Sequence, residues 1–253
     1  MKFLKPTDIN QMQDIYKTYP GPFAIDETDL EKIFPNIHSI KTKEYGEWVQ
    51  GNLLEYNLSF INKLVSYLQP KIILEIGTYK GRTTYNMAKN TPDTTKIITI
   101  DPCLDVNYFS GSDARYLQKK SEIGTSFIGT EVENKIIQIY EDSTSMECQR
   151  QLDKVLNGEK IDFAFIDGGH TYENIKHDFE ELILPRLNKR GVALFDDYNR
   201  LYTVIGAVHY LAEKAREDGY VFYWYAPRKS ENTNEVLFLN LPESRNYNWR
   251  EVH

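Results

Sequence analysis

Apolar positions along this chain fall into two rhythms. Five short runs are almost continuously apolar: KIILEIG (71–77), KIITIDP (96–102), KIIQIYED (135–142), IDFAFIDGG (161–169) and GVALFDDY (191–198). Runs of this kind are strands buried on both faces. Between them the spacing changes to that of helices: a segment over 84–89, then Ile175, Phe179, Leu182 and Ile183 in a stretch reaching about residue 187, then Val204, Val208, Leu211 and Ala215 over 203–217. Residues 52–68 precede the first run with Leu54, Leu58, Ile61, Val65 and Leu68 on one face, and stop before Pro70. YVFYWYA (220–226) and EVLFLNL (235–241) flank a polar turn, so they form a hairpin and one of them runs antiparallel. The alternation predicts an α/β fold, a Rossmann-like doubly wound sheet, mostly parallel, with one antiparallel strand near the C-terminus.

The first 50 residues break this rhythm. Pro6, Pro20, Pro22 and Pro35 interrupt them, and 8–16 is the one short helix they offer. They read as a mainly helical N-terminal appendage or lid (1–50) ahead of one large domain (51–253). Composition adds little to this picture: 253 residues, 41% hydrophobic and 26% charged, are ordinary for a globular chain. The net charge of −7 disfavours nucleic acid and anionic membranes, both of which need a basic face. No apolar run nears the roughly 18 residues of a membrane span, and no signal-peptide core is present, so the expected location is cytoplasmic. Cys103 and Cys148 read as reduced thiols.

In a doubly wound sheet ligands bind at the carboxyl ends of the strands. Each of the five runs delivers an acid there: Glu75 in EIGTYKG, Asp101, Glu141-Asp142-Ser143, Asp167 ahead of Gly168-Gly169-His170, and Asp196-Asp197. The glycine loop is E-x-G-x-x-x-G. It lacks the G-x-G-x-x-G of a dinucleotide fingerprint and the G-K-[ST] of a phosphate loop, and Glu75 would repel a phosphate. A neutral or cationic ligand fits better. Asp101 follows Gly77 at about the 20-residue interval of an acid that grips ribose hydroxyls.

ILEIGTYKGRTT, IDP, YEDS, FIDGGHTY and FDDY together resemble the class I S-adenosylmethionine-dependent methyltransferases. The nearer resemblance is to small-molecule O-methyltransferases that use a divalent metal, of the catechol and antibiotic-sugar types. It spans about residues 52–241. It implies that Glu75 lies by the methionine moiety, that Gly77, Thr78 and Gly81 wrap it with Thr83 nearby, that Asp101 takes the ribose, and that Asp142 and Ser143 contact the adenine. It also implies metal ligation by Asp167, Asp196 and Asp197, a hard oxygen set suited to Mg²⁺ or Mn²⁺. Related sugar enzymes carry D-G-D-H where this chain has Gly169, which leaves His170 as the nearest base. Asp167 and His170 are thus the catalytic candidates, with S-adenosylmethionine as cofactor and a small-molecule hydroxyl (sugar, phenol or natural product) as acceptor.

Blander roles compete. Asp167 or Thr171 could cap the following helix, and Asp196-Asp197 could be a solvated turn. Lys80 and Arg82 read as solvated loop charges, and Tyr79, Tyr172 and Tyr198 as packing residues. Two other functions stay open: a metal-independent N- or O-methyltransferase with His170 as base, and a non-catalytic binding module on a degenerate scaffold. Residues 1–50, 104–134 and 228–234 are the expected lids and acceptor selectors, and the aromatic-rich N-terminal part offers a surface for a homo-oligomer.

Overall fold

The computed structural model describes residues 21–105, 117–198, 201–218 and 220–225, and the backbone of 236–239. In chain order the elements are β1 (Phe23–Ile25), α1 (Glu27–Ile33), α2 (Glu55–Leu68), β2 (Ile72–Ile76), α3 (Arg82–Lys89), β3 (Lys96–Ile100), β4 (Ile136–Ile139), α4 (Met146–Leu156), β5 (Ile161–Ile166), α5 (Tyr172–His177), β6 (Leu187–Phe195), α6 (Tyr202–Glu217), β7 (Val221–Tyr225) and β8 (Val236–Leu239). The strands make one sheet in the order β1-β7-β8-β6-β5-β2-β3-β4. β8 runs antiparallel to β6 and β7, and every other pair is parallel. This is the mostly parallel, doubly wound sheet with one antiparallel strand that the apolar runs predict.

The near-continuous apolar runs are explained by two covered faces. On one face Leu74, Ile76, Ile98, Ile100 and Ala164 pack with Leu152 of α4, Ile175 of α5 and Val208 and Leu211 of α6. On the other Ile73, Ile97, Phe163, Phe165 and Tyr223 pack with Leu58, Ile61 and Val65 of α2. Helix α2 ends where Gln69 turns left-handed one residue before Pro70, which cannot continue a helix.

Three elements escaped the sequence reading, among them the helix α1 over Glu27–Ile33. Phe23–Ile25 pairs in parallel with β7, so the N-terminal stretch is not only helical but supplies an edge strand. Ile25, Leu30, Phe34 and Ile37 join the same core as Ile73 and Phe163. Helix α4 was also missed, because only Cys148, Leu152 and Leu156 of its 11 residues are buried. The segment 8–16 lies outside the described residues. Both cysteines are free and buried, as expected.

Candidate active site

The site is built by sheet register. Beyond the strands proper, four more main-chain bonds carry the ladder on: Asp101 N–H to Ile139 O (3.1 Å), Gly77 N–H to Ile100 O (2.8 Å), Asp167 N–H to Ile76 O (2.8 Å) and Asp196 N–H to Ile166 O (3.0 Å). They set the ends of β2, β3, β5 and β6 level along one rim. After β2 the chain moves outward to β3 and β4, then crosses to β5 on the other side. The crevice of such a sheet opens at that reversal.

Gly77 closes this rim. It is left-handed (φ 99°). A Cβ on it would lie 2.0 Å from the Asp167 carbonyl oxygen. Only glycine lets the ends of β2 and β5 meet so closely. Gly81 opens α3, also left-handed, and a Cβ there would strike Phe127 at 2.7 Å and the Gly124 backbone at 2.9 Å. Gly124 and Ser126 donate main-chain bonds to Tyr79 O (2.9 Å) and Lys80 O (2.8 Å). The described end of the expected lid, from residue 117 on, is therefore fastened to the glycine loop.

Glu75 is fully buried on β2. Its Oε2 accepts hydrogen bonds from Thr84 and from Thr99 (2.6 Å), while Oε1 has no partner. Burial pushes its carboxyl up to about 7, against the pull of those two hydroxyls. It braces the loop from beneath and presents no surface to the crevice. Thr78 does likewise, its hydroxyl 2.6 Å from Thr99 Oγ1 and 3.1 Å from the Gln138 amide. Thr83 is half-buried in the first turn of α3. Asp101 sits at the rim and accepts the Tyr79 N–H at 2.6 Å. Burial pushes it up to about 6, opposed by the main-chain amides of Tyr79 and Thr78. Asp142 and Ser143 follow β4 and are nearly buried. Asp142 Oδ1 accepts from the Thr144 N–H (2.9 Å) and hydroxyl (2.7 Å), while Ser145 caps α4.

On the far side of the crevice the ends of β5 and β6 bring acids and a histidine together. His170 Nε2 lies 3.4 Å from Asp197 Oδ2 and 3.8 Å from Asp167 Oδ1. One ligand atom from each of Asp167, His170 and Asp197 falls within 4.8 Å of the other two. Asp196 adjoins the group from a buried position. Burial, then the charges of Asp167 and Asp197, hold its carboxyl well above the usual carboxylate range, and its Oδ1 has no hydrogen-bond partner. Asp197 is left-handed (φ 58°), a conformation aspartate tolerates better than most residues. The structure thus adds His170 to the cluster expected from the acids alone.

The competing roles separate here. Thr171, not Asp167, caps α5 by accepting the Asn174 N–H at 3.0 Å. Asp196-Asp197 is nearly buried rather than a solvated turn. Gly169 has its own reason: a Cβ there would meet the Asn174 side chain at 2.9 Å. Arg82 is a correction. It is 3% exposed, not a solvated loop charge, because its guanidinium is spent on Gly46, Leu53 and Glu55. Tyr198 packs as expected, bonded to His209 at 2.9 Å.

Sheet order, glycine loop and rim of acids together define the class I S-adenosylmethionine-dependent methyltransferase fold. Residues 74–198, which run from β2 to Tyr198 and hold every candidate residue above, match the family model for a methyltransferase domain. Among curated proteins the chain is similar to the tapetum-specific methyltransferase 1 of Arabidopsis thaliana, 30% identical over 155 residues, covering 58% of this chain and 57% of that one. The chain spans about half the length of the curated relatives it matches. Among solved structures, an O-methyltransferase from Bacillus cereus in complex with SAH shares the fold at 15% identity (TM-score 0.55, 93% of this chain and 100% of that one). The O-methyltransferase TomG from Streptomyces achromogenes, involved in tomaymycin synthesis and solved with SAM, does so at 15% identity (TM-score 0.53, 85% and 98%).

Proposed function

We propose that this chain moves the methyl group of S-adenosylmethionine to a hydroxyl oxygen of a small molecule, a sugar, phenol or other natural product, with the help of a divalent cation. The observation that carries the reading is the convergence of Asp167, His170 and Asp197 at the rim, with the Asp196 carboxyl against them, its Oδ1 without a hydrogen-bond partner. Three carboxylates in a nearly buried place repel one another, and a hard cation such as Mg²⁺ or Mn²⁺ relieves that repulsion. Asp167, Asp196 and Asp197 would hold the cation. Bound there, it would lower the pKa of an acceptor hydroxyl and fix its direction.

The chain's own residues do the rest. Glu75 and Thr78 brace the glycine loop, and Gly77 and Gly81, by packing closely on Asp167 and on Phe127, set the path of the loop that wraps the methionine moiety, with Thr83 beside it. Asp101 accepts the ribose hydroxyls, and Asp142 with Ser143 faces the adenine. His170 takes the acceptor's proton, its ring held beside Asp197 and Asp167. Donor and acceptor meet in line at adjacent strand ends, which removes much of the entropic barrier. The close His170–Asp197 pair also supports a second reading, a metal-independent transfer in which that pair alone is the base.

A thermal-shift titration with S-adenosylhomocysteine, in Mg²⁺ and in EDTA, tests both. A ligand that binds only the folded state raises its melting temperature. The expected result is a rise with the nucleoside and a further rise with Mg²⁺ that Asp197→Asn abolishes. A nucleoside shift with no Mg²⁺ increment transfers the case to the metal-independent reading. No nucleoside shift in either buffer refutes the transferase reading altogether.

A further inference from the structure

Helix α3 bears three polar side chains four residues apart, on one face, that reach out to the main chain of another segment. The Asn90 amide donates to Lys43 O at 3.2 Å. The Asn86 amide donates to Tyr45 O at 2.9 Å and accepts the Tyr45 N–H at 2.8 Å, the two-way bonding of a strand pair made by one side chain. Arg82 donates to Gly46 O (3.2 Å), Leu53 O (3.3 Å) and Glu55 Oε1 (2.5 Å). Arg82 and Asn86 are 3% and 0% exposed, so these two side chains are buried between the helix and the segment they hold. They fix a strap, residues 43–55, along the helix that leaves the glycine loop.

The far end of the strap rests on that loop. The Tyr79 hydroxyl donates to Gln50 O at 3.1 Å. Gly51 (φ 93°) lies so close that a Cβ on it would be 3.1 Å from the Tyr79 ring. Tyr79 is itself left-handed (φ 48°), which a bulky residue holds only where its surroundings enforce it. Its N–H is the donor to Asp101 Oδ2.

We propose that Arg82 and Asn86 are positioning residues: by fixing the strap they hold Tyr79 left-handed, and so keep its amide aimed at the carboxylate of Asp101. The consequence is felt in nucleoside affinity, because Asp101 is the ribose acid under the reading above, on which this inference rests. A ladder that only stabilised the fold would change melting temperature and leave affinity alone.

The test is calorimetric titration of S-adenosylhomocysteine into the wild type, Asn86→Ala, Tyr79→Phe and the double variant, with hydrogen exchange at the Tyr45 and Tyr79 amides. The expected result is a fivefold or greater rise in Kd for each single variant, with faster exchange at Tyr79. The double variant should be no weaker than the worse single one, because both substitutions cut the same line of contacts. Kd within twofold of wild type, with Tyr45 deprotected, overturns the proposal, since the strap would then be free without cost to the ligand. Should Asn86→Ala fail to fold, Tyr79→Phe removes only a hydroxyl at the surface and decides the matter by the same criterion. A wild type that binds no nucleoside refutes the underlying transferase reading, and is told apart by failing before any substitution is made.

Discussion

At the scale of single residues, the buried carboxylate of Glu75 has the clearest consequence. Its ordinary value of 4.5 rises to about 7 in the fold. Between those two pH values the folded chain keeps a proton that the unfolded chain releases, so stability falls as pH climbs through that window and the deficit persists above it. The shift corresponds to roughly 3 kcal/mol. Glu75→Gln titrates no proton, so the melting temperature of the variant relative to wild type should climb between pH 4.5 and about 7 and stay level outside that window; an offset constant with pH would contradict the assignment. Gly77→Ala should cost about 3 kcal/mol in urea unfolding, since it combines a disfavoured φ with a collision against Asp167. The sequence announced Gly77 as a loop glycine. It was silent on the collision, which arises only when β5, far along the chain, is laid beside β2. Arg82 was misread for the same reason: a lone arginine in a polar loop looks solvated until residues 46–55 are folded over it.

At the scale of elements, strands were legible and lightly buried pieces were not. Runs such as IILEI and IDFAFI are apolar on both faces and have no other stable placement. Helix α4 buries one stripe of three residues and hides in a polar sequence; the spacing of Cys148, Leu152 and Leu156 behind Ser145 was its only signature. That cap is testable: Ser145 Oγ accepts the Cys148 N–H at 3.0 Å, and Ser145→Ala should cost about 1 kcal/mol. The helical stretch after β5 was expected as one piece. It runs instead from α5 into a π-turn over Asp178–Ile183 and a 3-10 turn at Leu184–Arg186. The wider turn places Asp178 fully buried, with burial raising its carboxyl. Helical periodicity cannot distinguish such a turn from the α-helix it interrupts. Of the site, the acids at the strand ends were readable because sheet topology dictates where strand ends gather. The entry of His170 between Asp167 and Asp197 depends on loop geometry and was readable only as a nearby base.

At the scale of the whole molecule, residues 21–50 do not behave as a separate layer. β1 extends the sheet, and Ile25, Leu30, Phe34 and Ile37 share a core with α2 and β2. Urea unfolding should therefore show one transition, coincident by far-UV circular dichroism and by tryptophan fluorescence, which includes Trp48 on the strap. An earlier fluorescence step would mean that the N-terminal residues come away alone. No described helix is long and apolar enough to cross a membrane.

The position of β8 has a consequence for how the chain comes into being. Among the described strands, β1 is hydrogen-bonded to the sheet only through β7, and β7 to the rest only through β8. Yet β8, at residues 236–239, is the last of these to be synthesised, and β1 the first. On the ribosome β2 to β6 can assemble as they emerge, whereas β1 must stay unpaired while some two hundred residues follow it, on the order of ten seconds or more at cellular rates of elongation. The keystone arrives after both halves of its arch, and a nascent chain stopped just short of it would hold the rim of acids but leave the β1–β7 pair without a strand to join it to the rest of the sheet.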